Sequence, residues 1–182
     1  ASVSTISPLG VERFETASYQ VAEQVMERES LRSRFVTCEP AEIRDDACAS
    51  ESLAALGLQV WRRPLDEDEL ESLVEISGSA SLVIGDFYGG LEYGVATLLQ
   101  SPHFLYRVEL GEDDGEGGRR YGSYEMASRL SYFLWDTTPD DELLKAAERG
   151  ELTDDASLSL QLDRMLEDPR ARQGLRAFFT DM

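Results

Sequence analysis

The sequence predicts an all-α fold, a compact bundle of about seven helices in two lobes with no sheet. Three observations carry that expectation. Apolar residues recur at spacings of three and four along most of the chain, the period of a helix. Serine, threonine or aspartate precedes these stretches, often with proline or glutamate in the first turn, and glycine or proline closes them. No stretch alternates apolar and polar residues with a period of two, as a half-buried strand would.

Ser7-Pro8 opens the first helix, with Phe14, Ala17, Val21 and Val25 as its apolar stripe. Arg28 to Pro40 reads as a connection anchored by Phe35 and Val36. Cys48 to Arg63 is a second helix whose inner face is Leu53, Leu56 and Val60; Trp61 adds bulk and Pro64 stops it. Asp66 to Glu69 forms a capping box for a third helix, which carries Leu70, Leu73 and Val74 inward and ends at Gly78. Arg62-Arg63 neutralises the end of the second helix and bonds the acidic start of the third; the glycine-rich cradle of an anion site is missing.

Asp86 to Gln100 is the fourth helix, with Leu91, Val95, Leu98 and Leu99 inward. Each glycine in it costs about 1 kcal/mol relative to alanine, so Gly90 and Gly94, stacked on one side, imply a close backbone crossing. Ser101-Pro102 begins a turn or short helix, and Phe104, Leu105 and Tyr106 are too apolar for an exposed loop.

Gly111 to Arg120 is polar, rich in glycine and without an apolar anchor. It reads as a mobile linker, residues 111–120, between an N-terminal lobe, residues 1–110, and a C-terminal lobe, residues 121–182. A calcium loop starting at Asp113 would need carboxylates where Gly115 and Tyr124 stand, so that pattern fails.

Ser123 to Trp135 is the central helix. Met126, Leu130, Phe133 and Leu134 define its inner face, widened by Ala127, Tyr132 and Trp135, and Ser123 caps it. Thr138-Pro139 opens the next, with Asp140, Asp141 and Glu142 on the positive end of its dipole, and Gly150 closes it. Thr153 caps a helix carrying Leu158, Leu162, Met165 and Leu166; Asp168-Pro169 starts the last, with Leu175, Phe178 and Phe179 inward. Arg129 lies among residues expected to face the core and requires a carboxylate. Asp140 or Asp141 is the first choice and Glu109 the alternative, and losing the arginine should cost roughly 3–5 kcal/mol.

Charge narrows the function. With 17 Lys+Arg against 36 Asp+Glu, the chain carries a net charge of −19, which repels nucleic acid and anionic lipid; such a surface serves solubility or a salty habitat, and docking to a basic partner is the sharper alternative. No apolar run is long enough to span a membrane. Cys38, Cys48 and the single histidine, His103, do not make up a closed zinc set, and without Cys-x-x-Cys-His no covalent haem belongs to this segment. No serine sits in a nucleophile elbow that His103 could serve. His103 and Arg107 remain as functional candidates, no residue is assigned as catalytic, and whether the chain is an enzyme stays open.

Three stretches carry a resemblance: Trp61-Arg-Arg-Pro-Leu65, Ser101-Pro-His-Phe-Leu-Tyr-Arg-Val-Glu109, and Ala127-Ser-Arg-Leu-Ser-Tyr-Phe-Leu-Trp135 followed by Pro139-Asp-Asp-Glu-Leu143. In this order they resemble a family of exported proteins from planctomycetes and myxobacteria, domains of unknown function found beside cytochrome c modules. The resemblance implies an exported segment, periplasmic or extracellular, of a longer parent protein whose C-terminal domain continues past residue 182. In that compartment Cys38 and Cys48, across a short loop, are expected to form a disulfide.

Partners would be other domains of the parent and a cytochrome c or other basic protein, with haem held elsewhere in the parent. No settled activity comes with the resemblance. The expected function is a helical scaffold or interaction segment. The alternative is part of a periplasmic oxidoreductase or hydrolase completed by other segments. A pocket gathering His103, Tyr106, Arg107 and Arg129 would favour the alternative; the same groups paired internally would favour the scaffold.

Overall fold

A computed structural model of the chain describes residues 7–180, which divide between two compact units, Ala1–Tyr106 and Arg107–Met182. Helix dominates, as expected. Ten α-helices stand among the described residues rather than about seven; two of them are short single-turn helices in the connections. The expectation of no sheet is corrected by one small two-stranded hairpin.

The first unit holds α1 (Pro8–Glu27), α2 (Glu29–Arg32), α3 (Asp46–Val60), α4 (Glu67–Ile84), α5 (Phe87–Gln100) and α6 (Pro102–Leu105). Helix α5 is its axis, packed against α1, α3, α4 and α6, with Leu91, Val95, Ala96 and Leu98 buried. Against α4 the approach is close. A Cβ at Gly90 would strike Ser81 Oγ and the Ser77 carbonyl, and one at Gly94 would strike Ser77 Oγ. The two serines tolerate burial because each hydroxyl donates within its own helix, Ser77 to Leu73 O at 2.9 Å and Ser81 to Ser77 O at 2.9 Å.

Caps set the other boundaries. Asp45 accepts from Cys48 N at 3.0 Å and starts α3, and the reciprocal Asp66–Glu69 box starts α4. Gly78 does not end α4: it lies under the Arg44 guanidinium, and the helix runs on to Gly85, whose φ of 82° is open to glycine without strain. A disulfide joins Cys38 to Cys48, fastening the segment that buries Phe35 and Val36 to the first turn of α3.

The second unit contains β1 (Glu112–Asp113), β2 (Arg119–Arg120), α7 (Ser123–Trp135), α8 (Asp141–Glu148), α9 (Asp155–Glu167) and α10 (Pro169–Thr180). The stretch read as a mobile linker is an antiparallel hairpin, with Glu112 opposite Arg120 and Asp113 opposite Arg119. Opposite charges face each other across it, and Asp114 closes the loop by accepting from Glu116 N at 2.9 Å and Gly118 N at 2.8 Å. Glu125 ties the hairpin to α7 by accepting from the N–H groups of Leu110, Gly111 and Gly122. Strands of two residues are too short to show alternation in a sequence.

Two apolar stripes are corrected. Helix α1 buries Ser18, Ala22 and Met26, while Phe14 and Val21 are exposed. Helix α7 keeps Met126, Leu130 and Leu134 against its core as expected and buries Ala127, Ser128, Ser131 and Trp135, but it turns Phe133 outward, 78% exposed. In both, small residues mark the packed side, because they let a neighbouring backbone come near. Gly174 of α10 shows the closeness, as a Cβ there would strike the Leu134 carbonyl.

Smaller corrections follow the same chemistry. Gly122, not Ser123, caps α7, and Ser123 Oγ instead accepts from Leu152 N at 3.3 Å. Asp140 rather than Pro139 borders α8, and Asp154 rather than Thr153 caps α9. Leu175 and Phe179 are exposed, as are Phe104 and Tyr106; the Phe178 side chain lies outside what is described.

Candidate functional site

In the first unit, Trp61, Arg62, Arg63, Glu69 and His103 converge. The Trp61 indole is buried, and its N–H donates to Leu98 O at 3.0 Å, so α3 ends fastened to α5. The His103 ring lies 5.0 Å from it, centroid to centroid, placed there by α6 and its Ser101 cap. Arg62 takes a left-handed backbone, φ 62°, at the turn out of α3. That turn directs its buried guanidinium to Val60 O at 2.9 Å, His103 O at 2.5 Å and Tyr106 O at 3.0 Å. One arginine thereby bonds a last-turn carbonyl of α3 and two carbonyls of the α6 segment.

Arg63 pairs with Glu69 through two bonds, 2.8 and 2.7 Å, and its guanidinium approaches the Trp61 ring at 5.3 Å. Glu69 also closes the α4 capping box. The Arg63 guanidinium holds the Glu69 carboxyl at about 2. His103 Nε2 stands 3.8 Å from Glu69, too far for a hydrogen bond. Burial, then Arg63, pushes the His103 pKa down, against a weaker upward pull from Glu69. The fold therefore favours the neutral imidazole, packed beside an ion pair, with no nucleophile bonded to it among the described residues.

The second unit holds an open groove of about 840 Å³ whose lining includes Arg107, Glu109, Met126, Arg129, Phe133 and Asp136. Arg129 bonds Glu109 at 2.6 Å and stacks over Tyr121 at 4.2 Å. Its side chain is 44% exposed, so the expectation of burial in the core is corrected. The first-choice partners are corrected as well. Asp140 accepts instead from Arg164 at 2.8 and 3.1 Å, from Arg170 at 3.0 Å and from Leu143 N at 3.0 Å, while Asp141 is exposed in the first turn of α8.

Burial raises the Asp140 pKa, but Arg164, Leu143 N and Arg170 outweigh it and hold the carboxyl below its ordinary value. Arg170 also binds Asp168 and stacks on Trp135 at 3.5 Å. Asp-Pro-Arg at 168–170 was the visible signal for this cluster. Nothing short-range pointed to Arg164.

Arg107 and Arg129 thus share a groove, while His103 and Tyr106 belong to the first unit. Arg107 rests over the Tyr132 ring at 5.0 Å and has no hydrogen-bond acceptor among the described residues. No group of three or more histidines, cysteines or acids placed to hold a metal occurs among the described residues. No described helix is long and apolar enough to cross a membrane.

No curated protein and no solved structure matches the chain. Two family matches do, and they fall on the stretches just described. Residues 48–109, which carry Trp61, Arg62, Glu69 and His103, match PSD5, a protein of unknown function (DUF1595), and residues 122–182, which carry Arg129 and Asp140, match PSD4, a protein of unknown function (DUF1592).

Proposed function

We propose that this chain is a helical scaffold or interaction segment of a larger exported bacterial protein that works beside a cytochrome c. The observation that carries this reading is the use made of the motif side chains. Arg62 is bonded to three carbonyls, Arg63 to Glu69, Arg129 to Glu109, and His103 is stacked on Trp61. Groups committed to their own fold are poorly placed to act on a substrate. The Cys38–Cys48 disulfide supports an oxidising compartment, periplasmic or extracellular. The net charge of −19 supports a basic partner, with haem carried elsewhere in the parent protein.

A second reading, part of a periplasmic oxidoreductase or hydrolase completed by other segments, draws on the groove, where Arg107 lacks an acceptor.

Thermal melts of Arg62→Ala and Trp61→Phe separate the two. The scaffold reading expects Arg62→Ala to lose roughly 2–4 kcal/mol, since the buried carbonyls lose a charged donor. Trp61→Phe should lose about 1 kcal/mol with its bond to Leu98 O. Unchanged midpoints in both variants would mean that these groups are spare, and would transfer the weight to the enzyme reading.

A further inference from the structure

We propose that the outward face of α4 is a docking surface for a basic, amphipathic protein segment; this rests on the reading of the chain as an interaction module. Helix α4 turns Leu73, Ser77, Gly78 and Ser81 inward. Its other side carries exposed apolar residues, Ile76, Leu82 and Val83, with Val83 exposed to 88% and Leu82 to 61%; Ile84 is exposed at the helix end. Ile76 and Val83 are seven residues apart, two turns along one side with Ser79 and Ala80 between them, and Leu82 adjoins Val83 at the helix end. Single exposed leucines are ordinary on protein surfaces; a contiguous apolar patch beside polar residues marks a contact site.

Charge selects the occupant. Helix α4 contains five acidic residues and no basic one. Arg63 engages Glu69 and Arg44 engages Glu75, but Glu67, Asp68 and Glu71 have no cationic partner among the described residues. The helix therefore presents an acidic first half and an apolar second half over about 27 Å. A second copy of the chain would bring another −19 to this face, and nucleic acid or an anionic membrane would be repelled. A protein segment with lysine or arginine at one end of an apolar stripe matches both halves. The charges would speed encounter, and the apolar patch would supply the contact that salt does not screen.

The test uses a labelled helical peptide as long as α4, with leucines along one half of a single face and lysines along the other half of that face, titrated against the chain by fluorescence anisotropy. Two double variants probe the face, Leu82→Ser with Val83→Ser, and Asp68→Asn with Glu71→Gln. All four positions are exposed and bear on no internal tie. Glu12→Gln with Glu15→Gln on α1 is the control, since it changes the net charge by the same amount. Each α4 variant should weaken binding by about tenfold and the control by less than about twofold.

Equal weakening by the control would reduce the effect to net charge and overturn the proposal. So would unchanged affinity in the Leu82/Val83 variant, or no binding by the wild-type chain. A wild-type dimer that the Leu82/Val83 variant abolishes would make this a self-interface instead. Should Arg62→Ala melt early while the peptide fails to bind, the scaffold reading stands and this docking face falls.

Discussion

The His103 ring packs against Trp61, tilted by 39° with centroids 5.0 Å apart, and the His103 carbonyl accepts from Arg62, the next residue along, at 2.5 Å. Side chain and main chain of one histidine are thus held by two consecutive residues of another segment. This double grip makes the end of α3 and the start of α6 a single structural element. It also leaves a titratable ring in a place where its protonation bears on stability.

Burial, then Arg63, lowers the His103 pKa below its ordinary 6.5. The unfolded chain then takes up its proton at a higher pH than the folded chain does. Stability from this group is complete above 6.5 and falls as pH drops through the folded value. With only one histidine in the sequence, the slope can be assigned. His103→Gln should flatten the thermal midpoint between about pH 7 and 5. Glu69 gives a separate loss at lower pH: its carboxyl is held at about 2 in the fold against 4.5 unperturbed, so its contribution disappears across that interval. Parallel profiles of wild type and His103→Gln from pH 7 to 5 would contradict the first assignment.

Glu92 works in the opposite direction. Burial, then Glu23 and Glu27 of α1, pushes its pKa above 4.5. A raised carboxyl contributes fully below the unfolded value and loses its contribution as pH rises through the folded one. Glu92→Gln should therefore stabilise the chain at pH 7, by about a few tenths of a kcal/mol as for other like-charge neighbours, and leave it unchanged near pH 4. The same gain at both pH values would point to packing instead of charge.

What could be read from the sequence was mostly what neighbours decide. The Asp66–Glu69 box follows from local bonding, and the Gly90/Gly94 crossing from spacing along one helix. The stripe of α1, and Phe133 within that of α7, were misread because an apolar-rich helix admits more than one stripe. There the large side chains Phe14 and Phe133 drew attention from Ser18, Ala22, Ser128 and Ser131, whose smallness decides which side can be approached. The hairpin at 112–120 depends on facing charges and an aspartate-closed loop, not on alternation. The Arg129 partner was uncertain for another reason: Glu109 lies 20 residues away, and only the folded path of the chain ranks it above Asp140. Glu69 was legible as a cap and Arg63 as a partner of the acidic start of α4; their place beside the Trp61 ring and His103 needed three dimensions.

Gly90→Ala tests the crossing of α4 and α5. Helix propensity alone would favour alanine by about 1 kcal/mol. The added Cβ would strike the Ser77 carbonyl and Ser81 N, both backbone atoms that cannot rotate away. Overpacking of this kind costs typically about 1–3 kcal/mol, so the variant should be destabilised in denaturant melts. A rise in stability would mean that the two helices separate easily.

Arg129 and Asp140 give the last comparison. Arg129 is 44% exposed, its bond to Glu109 lies at the surface, and its stacking on Tyr121 adds little in water. Exposed pairs contribute about 0–1 kcal/mol, so Arg129→Ala should fall in that range and not the 3–5 kcal/mol of a buried pair. Asp140 carries more of the unit. It caps α8, receives Arg164 from α9 and Arg170 from α10, and thereby gathers three helix ends against Trp135. Removing it loses the cap, about 1 kcal/mol, and leaves the half-buried Arg164 with only its longer contact to the exposed Glu142, at 3.3 Å. Asp140→Ala should therefore cost about 2–3 kcal/mol, less than a fully buried pair and clearly more than Arg129→Ala. Paired urea melts of the two variants decide the ranking. Equal losses would show that the Asp140 cluster is no more than a set of surface ion pairs.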